Sequence, residues 1–169
     1  NLVQYSVRNW NLKRKHKRHD AKNMKNETKN MNIQDFTLGY IECALWSSVD
    51  DGGEPLDSNQ DGADALAPET IERIEQDCAA FIAANKTNLA EYAERWPLSL
   101  QAAVGYGSKY HSASDCAGHD FWLTRNGHGA GFWDRGFGSL GERLTDSSEK
   151  FGGLSLYIGD DGKLYLISA

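Results

Sequence analysis

Apolar positions fall into helical stripes over most of the chain and into short alternating runs near its end. From Asp35 to Ser47, Phe36, Leu38, Tyr40, Ile41, Cys43, Ala44 and Leu45 leave almost no polar face, which predicts a buried helix. Pro68-Glu69 opens a second helix, since proline suits the first helical position and an acid suits the N-terminal dipole. Ile71, Ile74, Cys78, Phe81 and Ile82 then share one stripe, with an end near Asn85. A third helical stretch carries Leu89, Tyr92 and Trp96. It is interrupted at Pro97, which lacks a backbone donor, and Leu98 to Val104 resume it. Residues 105–115, rich in Gly, Ser and Tyr, read as a flexible connection. Ser139 to Phe151 reads as a short amphipathic helix on Leu140, Leu144 and Phe151. The runs Leu154 to Ile158 and Lys163 to Ile167 flank Gly159-Asp160-Asp161-Gly162 and predict a hairpin with an Asp-Gly turn.

The densest block runs from Gly118 to Gly136: Gly118-His119-Asp120-Phe121-Trp122-Leu123-Thr124-Arg125-Asn126-Gly127-His128-Gly129-Ala130-Gly131-Phe132-Trp133-Asp134-Arg135-Gly136. Its aromatic and β-branched residues, with a turn signal at Asn126-Gly127, predict another β-hairpin. A two-residue and a four-residue turn both place Phe121, Leu123 and Phe132 on one face and Trp122, Thr124 and Trp133 on the other. Both also bring His119 and Asp134 within cross-strand reach. The expected fold class is α+β, with helices packed on a small antiparallel sheet of about four strands built from two hairpins.

Length changes the picture little: 169 residues fit one domain and a tail. Charge changes it more. Residues 1–30 carry nine Lys/Arg and two Asp/Glu, the remainder nine and twenty-two, a split of +7 and −13. Residues 1–30 read as a basic, disordered leader outside the native domain, and 31–169 as a single acidic domain. Cys43, Cys78 and Cys116 have neither disulfide nor zinc spacing, which suits a reducing compartment, and Cys43 and Cys78, in helical patterns, read as small buried thiols. The chain has no apolar run of membrane-spanning length. Asp57-Ser58-Asn59-Gln60-Asp61-Gly62 opens like a calcium loop, but Pro68 stands where the bidentate Glu belongs.

The block from Gly118 to Gly136 resembles one in a family of small, acidic, uncharacterised proteins of tailed bacteriophages and prophages. Phe36 to Asp57, Leu66 to Ile71 and Leu156 to Gly162 are similar to that family too. The resemblance covers most of residues 31–169 and none of 1–30. Within it, residues 58–64 and 98–113 look like variable insertions. It implies a phage setting, in the cytoplasm of an infected bacterium, and no catalytic residues.

Two functional readings compete. The first is a non-catalytic binding protein acting on a host or phage protein, with DNA mimicry as one form. An acidic body repels nucleic acid and suits basic surfaces, and no complete catalytic motif is present. The binding candidates are Asp120, Trp122, Asn126, Trp133 and Arg135. The second is a small enzyme or metal-binding protein on the predicted Gly118–Gly136 hairpin. There His119 and His128 would serve as base and acid, Asp134 would orient His119, and Arg125 or Arg135 would hold an anion. His119, Asp120, His128 and Asp134 have ligand types that suit zinc or manganese, but strand parity separates Asp120 from the rest. No cofactor is expected.

Overall fold

The computed structural model describes residues 31–59, 62–100 and 112–169. The expected leader at 1–30, the end of the expected resumed helix at 101–104 and the part of the expected connection at 105–111 lie outside these residues. Five helices, α1 (Ile33–Ser47), α2 (Pro68–Ala84), α3 (Lys86–Leu100), α4 (Ala113–Arg125) and α5 (Ser139–Glu149), pack on a hairpin of β1 (Leu154–Ile158) and β2 (Leu164–Ser168). The fold is α+β, as its pattern predicts. No helix among the described residues is long and apolar enough to cross a membrane.

Two local caps start the central pair of helices. The Asn32 side chain accepts from the N–H groups of Gln34 and Asp35 at 2.9 and 3.1 Å, satisfying two orphan donors of α1. Ser112 does the same for α4 by accepting from Asp115 N–H at 3.1 Å. The helix starts are tied together, since Asn32 N–H donates to Ser114 Oγ at 2.9 Å. Towards the other end, Trp122 Nε1 donates to Ser47 Oγ at 2.7 Å. The two helices therefore run side by side in the same sense. They touch backbone to backbone: a methyl group at Gly39 would lie 1.9 Å from the Asp115 carbonyl oxygen, and one at Gly118 would lie 1.9 Å from that of Phe36.

The block from Gly118 to Gly136 is not a hairpin. It is the second half of α4, a loop and a 3-10 turn at Phe132–Arg135. Asn126-Gly127 ends a helix instead of joining two strands. Gly127 takes φ +64°, its N–H bonds the Thr124 carbonyl at 3.1 Å, and His128 N–H bonds that of Leu123 at 3.0 Å. That pair of reversed bonds is a Schellman cap. Both a hairpin turn and this cap need a positive φ, so the dipeptide alone does not separate them. The aromatic content suggested strands, but α4 is buried on nearly every side, which erases the amphipathic stripe. Among the described residues the sheet consequently has two strands, not about four.

The remaining elements follow their patterns, with one exception. Pro97 does not interrupt α3, which continues to Leu100. The lost hydrogen bond is borne by a helix that Tyr92 and Trp96 already anchor in the core. The predicted stripe of α2 is buried at Ile71, Ile74, Cys78 and Phe81. The Phe81 ring stacks on Phe121 at 4.1 Å and meets Phe36 and Phe132 at 6.0 and 5.8 Å, forming the aromatic centre of the core. β1 pairs β2 in the register Leu154–Ser168 to Ile158–Leu164, around a turn closed by Gly162 N–H to Gly159 O at 2.9 Å. Leu154, Leu156 and Leu164 face the core. The Leu164 carbonyl accepts from Ala67 N–H and Thr70 Oγ1, both at 3.0 Å, which fastens the hairpin to the start of α2.

Gly39→Ala and Gly118→Ala should each destabilise the fold by about 1–3 kcal/mol or more, because the added methyl must push two helix backbones apart. Gly129→Ala has open space and should stay within about 0.5 kcal/mol. Urea unfolding of the three variants checks the contrast.

Candidate functional site

Arg125, a candidate anion holder by sequence, is the most enclosed cation of the described residues. Its side chain is fully buried at the end of α4. Nε donates to the Gly152 carbonyl at 2.8 Å and Nη2 to that of Phe151 at 2.9 Å. Nη1 donates to Tyr40 Oη at 2.9 Å and to Asp77 Oδ2 at 2.8 Å. Four of the five guanidinium donors are thus used within the chain. Tyr40, Phe121 and Phe151 box the guanidinium, with ring centres 6.0, 5.3 and 5.8 Å away. Arg125 joins α1, α2, α4 and the approach to β1, and faces no solvent.

Asp120 is also fully buried. It holds the Arg135 guanidinium through both carboxylate oxygens, with Nε at 3.0 and 2.9 Å and Nη2 closing the fork. Tyr92 donates to Asp120 Oδ2 at 2.9 Å. This set fastens the 3-10 turn and α3 to α4. Asn126 is a third tie: its amide donates to the Trp122 carbonyl at 2.9 Å and its oxygen accepts from Leu154 N–H at 2.7 Å. Trp122 is buried, so it offers no wall to a ligand. Of the expected binding residues, only Trp133 is largely exposed, at 51%.

The remaining catalytic candidates have no common strand face. His119 stands on α4 with its ring stacked on Trp46 of α1 at 6.2 Å, His128 follows the helix cap, and Asp134 is exposed in the 3-10 turn. Their expected pairing came from cross-strand parity, and a helix with a period of 3.6 has no such parity. Among the described residues, no group of three or more His, Cys, Asp or Glu is placed to hold a metal ion.

The surface that sequence reasoning missed lies at the end of α1. Trp46 and Val49 are each 56% exposed. The acidic loop after them is held in one shape. Asp50 Oδ1 accepts from Gly52 and Glu54 N–H at 2.8 and 2.9 Å, and Asp50 N–H bonds the Glu54 carbonyl at 2.9 Å. Val49 and Pro55 form an isolated bridge, and Leu56 anchors the loop in the core. Asp51, Glu54 and Asp57 project into solvent. A helix apolar on all sides gives no sequence signal for which of its aromatics stays outside.

All three cysteines are free and buried. Burial pushes the Cys78 thiol up to about 12 and raises those of Cys43 and Cys116 as well. Burial likewise raises the Tyr40 and Tyr92 phenols, and in Tyr92 the Asp120 charge adds to it. Comparison of the chain with protein-family models, curated proteins and solved structures returns no match.

Arg125→Ala and Asp120→Ala should each cost about 3–5 kcal/mol, because each breaks a buried ion pair together with its hydrogen bonds: Arg125→Ala strips donors from Tyr40, Asp77 and the Phe151 and Gly152 carbonyls, and Asp120→Ala removes the acceptor of Tyr92 and the forked partner of Arg135; thermal and urea unfolding measure this. The raised thiols and phenols set an alkaline limit. Their unfolded counterparts ionise near 9.0 and 10.0, so stability is complete below pH 9 and falls as pH rises beyond it. Thermal midpoints between pH 7 and 11 should show that decline. The three thiols should also react with an aromatic disulfide reagent only after unfolding.

Proposed function

We propose that the chain is a non-catalytic binding protein of phage type that acts by occupying a host or phage protein. The carrying observation is where the polar groups of the Gly118–Gly136 block go. Arg125, Asp120, Arg135 and Asn126 hold the fold together, so they are not free for chemistry on a substrate. Exposed tryptophans beside carboxylates remain. Tryptophan is enriched among the residues that dominate binding energy. The Trp46–Asp57 edge therefore suits a partner with an apolar recess rimmed by Lys and Arg. The pinned loop enters such a contact with little ordering cost, and the acidic body steers it towards basic surfaces. A basic surface that normally holds DNA fits this description and makes DNA mimicry one form of the activity.

Immobilised full-length chain, presented with bacterial lysate, should retain one protein with a basic face, in a manner weakened by salt. Trp46→Ala should weaken that association at least tenfold, the effect of losing about 1.4 kcal/mol, with the thermal midpoint unchanged. Retention of no specific protein, or binding indifferent to Trp46→Ala and to salt, would overturn the reading.

A further inference from the structure

The hairpin leaves one edge open, and its parity can be read from the bonds at its ends. Gly159 N–H bonds the Lys163 carbonyl at 2.8 Å and Ala169 N–H bonds that of Gly153 at 3.1 Å. Antiparallel pairs alternate between bonded and non-bonded. Ser155 and Tyr157 thus turn their backbone groups towards β2, while Leu154, Leu156 and Ile158 turn theirs outward. On β2 the same parity sends Leu164 outward, where its carbonyl meets Ala67 and Thr70. At Leu154 the outward N–H is taken by Asn126 Oδ1 at 2.7 Å. Among the described residues, nothing bonds the outward groups of Leu156 and Ile158.

We propose that β1 pairs antiparallel with β1 of a second copy, about a two-fold axis at Tyr157, giving one four-stranded sheet across the dimer. The open groups dictate the register. Leu156 and Ile158 are two residues apart, so Leu156 exchanges both bonds with the partner's Ile158, and Ile158 with the partner's Leu156. An isologous contact must be self-complementary in this way. Tyr157, 47% exposed and stacked on Tyr165 at 5.7 Å, then lies opposite the partner's Tyr157 in the closer, non-bonded pair. Ile158, 40% exposed, gains cover from the partner's Leu156.

Charge selects a second copy over a basic peptide. Neither strand carries an ionic side chain or proline, the usual guards of an edge. Along Leu154–Ile158 a basic strand would meet no carboxylate, the nearest in sequence being Asp160 and Asp161 at the turn. In the symmetric register the acidic tips, Asp160 and Asp161, fall at opposite ends of the joint sheet. They lie about six residues or 20 Å apart along the strand direction, beyond the screening length of about 8 Å.

Sedimentation equilibrium of the full 18.8 kDa chain should show a concentration-dependent dimer. Tyr157→Lys sets two ammonium groups face to face, and Ile158→Pro deletes an outward N–H without touching the ladder to β2. Each should weaken the dimer at least tenfold while preserving the thermal midpoint measured at concentrations where the chain is monomeric. In the unaltered chain, hydrogen exchange at Leu156 and Ile158 should slow as concentration rises, a readout that does not depend on either variant folding. A chain monomeric at every concentration, a dimer indifferent to both substitutions, or exchange that ignores concentration would overturn the proposal. Such a failure leaves the partner-binding reading intact, since that rests on Trp46 and its loop.

Discussion

The backbone contacts of Gly39 with Asp115 and of Gly118 with Phe36 set the spacing on which the rest of the molecule depends. Helix axes ordinarily lie about 8–10 Å apart because side chains stand between them. Here a carbonyl oxygen occupies the place of each missing methyl, on both helices. That approach lets Tyr40 Oη reach Arg125 and Ser47 Oγ reach Trp122. It also brings Phe36 to Phe121 at 6.1 Å and Tyr40 to Trp122 at 5.1 Å. Side chains larger than hydrogen at Gly39 and Gly118 would move these partners apart together, which makes the aromatic centre and the buried cation one cooperative unit.

Around this pair the polar residues serve as fasteners. Buried charges are costly unless paired and hydrogen-bonded, and α4 meets that condition twice. Asp77 of α2 and two loop carbonyls satisfy Arg125. Arg135 and Tyr92 satisfy Asp120. Each set draws a different element onto α4, so a helix with little polar face of its own organises most of the fold. The consequence for function is direct. Of the groups singled out in the Gly118–Gly136 block, Arg125, Asp120, Arg135 and Asn126 have hydrogen bonds committed inside the fold, while Asp134 is exposed and, among the described residues, shares no site with His119 or His128.

Outside this network two unlike surfaces are exposed. At the end of α1, exposed aromatic and carboxylate groups sit on a loop braced by Asp50 and anchored by Leu56. At the hairpin, neutral strands present backbone groups and a tyrosine pair. The first suits a basic partner through charge and shape, the second suits a copy of itself through hydrogen-bond symmetry. Because they use different residues, the two proposed contacts are compatible in one assembly.

Much of the architecture was legible before any coordinates. The all-round apolar run of α1, the stripes of α2 and α5, and the closing hairpin follow from local periodicity and turn residues, which act over a few positions. Buried thiols were legible because cysteines without partner spacing behave as small apolar residues. The Gly118–Gly136 block was misread for a physical reason. A helix buried on all sides loses the polar face that marks its period. Asn-Gly satisfies a helix cap and a hairpin turn with the same backbone conformation, and His119 with Asp134 looked paired only under a two-residue repeat. Tertiary structure alone decided the matter: Gly118 is where Phe36 passes, Arg125 is where Asp77 and Tyr40 arrive, and these neighbours come from chain segments roughly fifty to ninety residues away. Contacts at such separations leave no mark in local pattern, which is why sequence determined the elements and packing determined what their polar residues do.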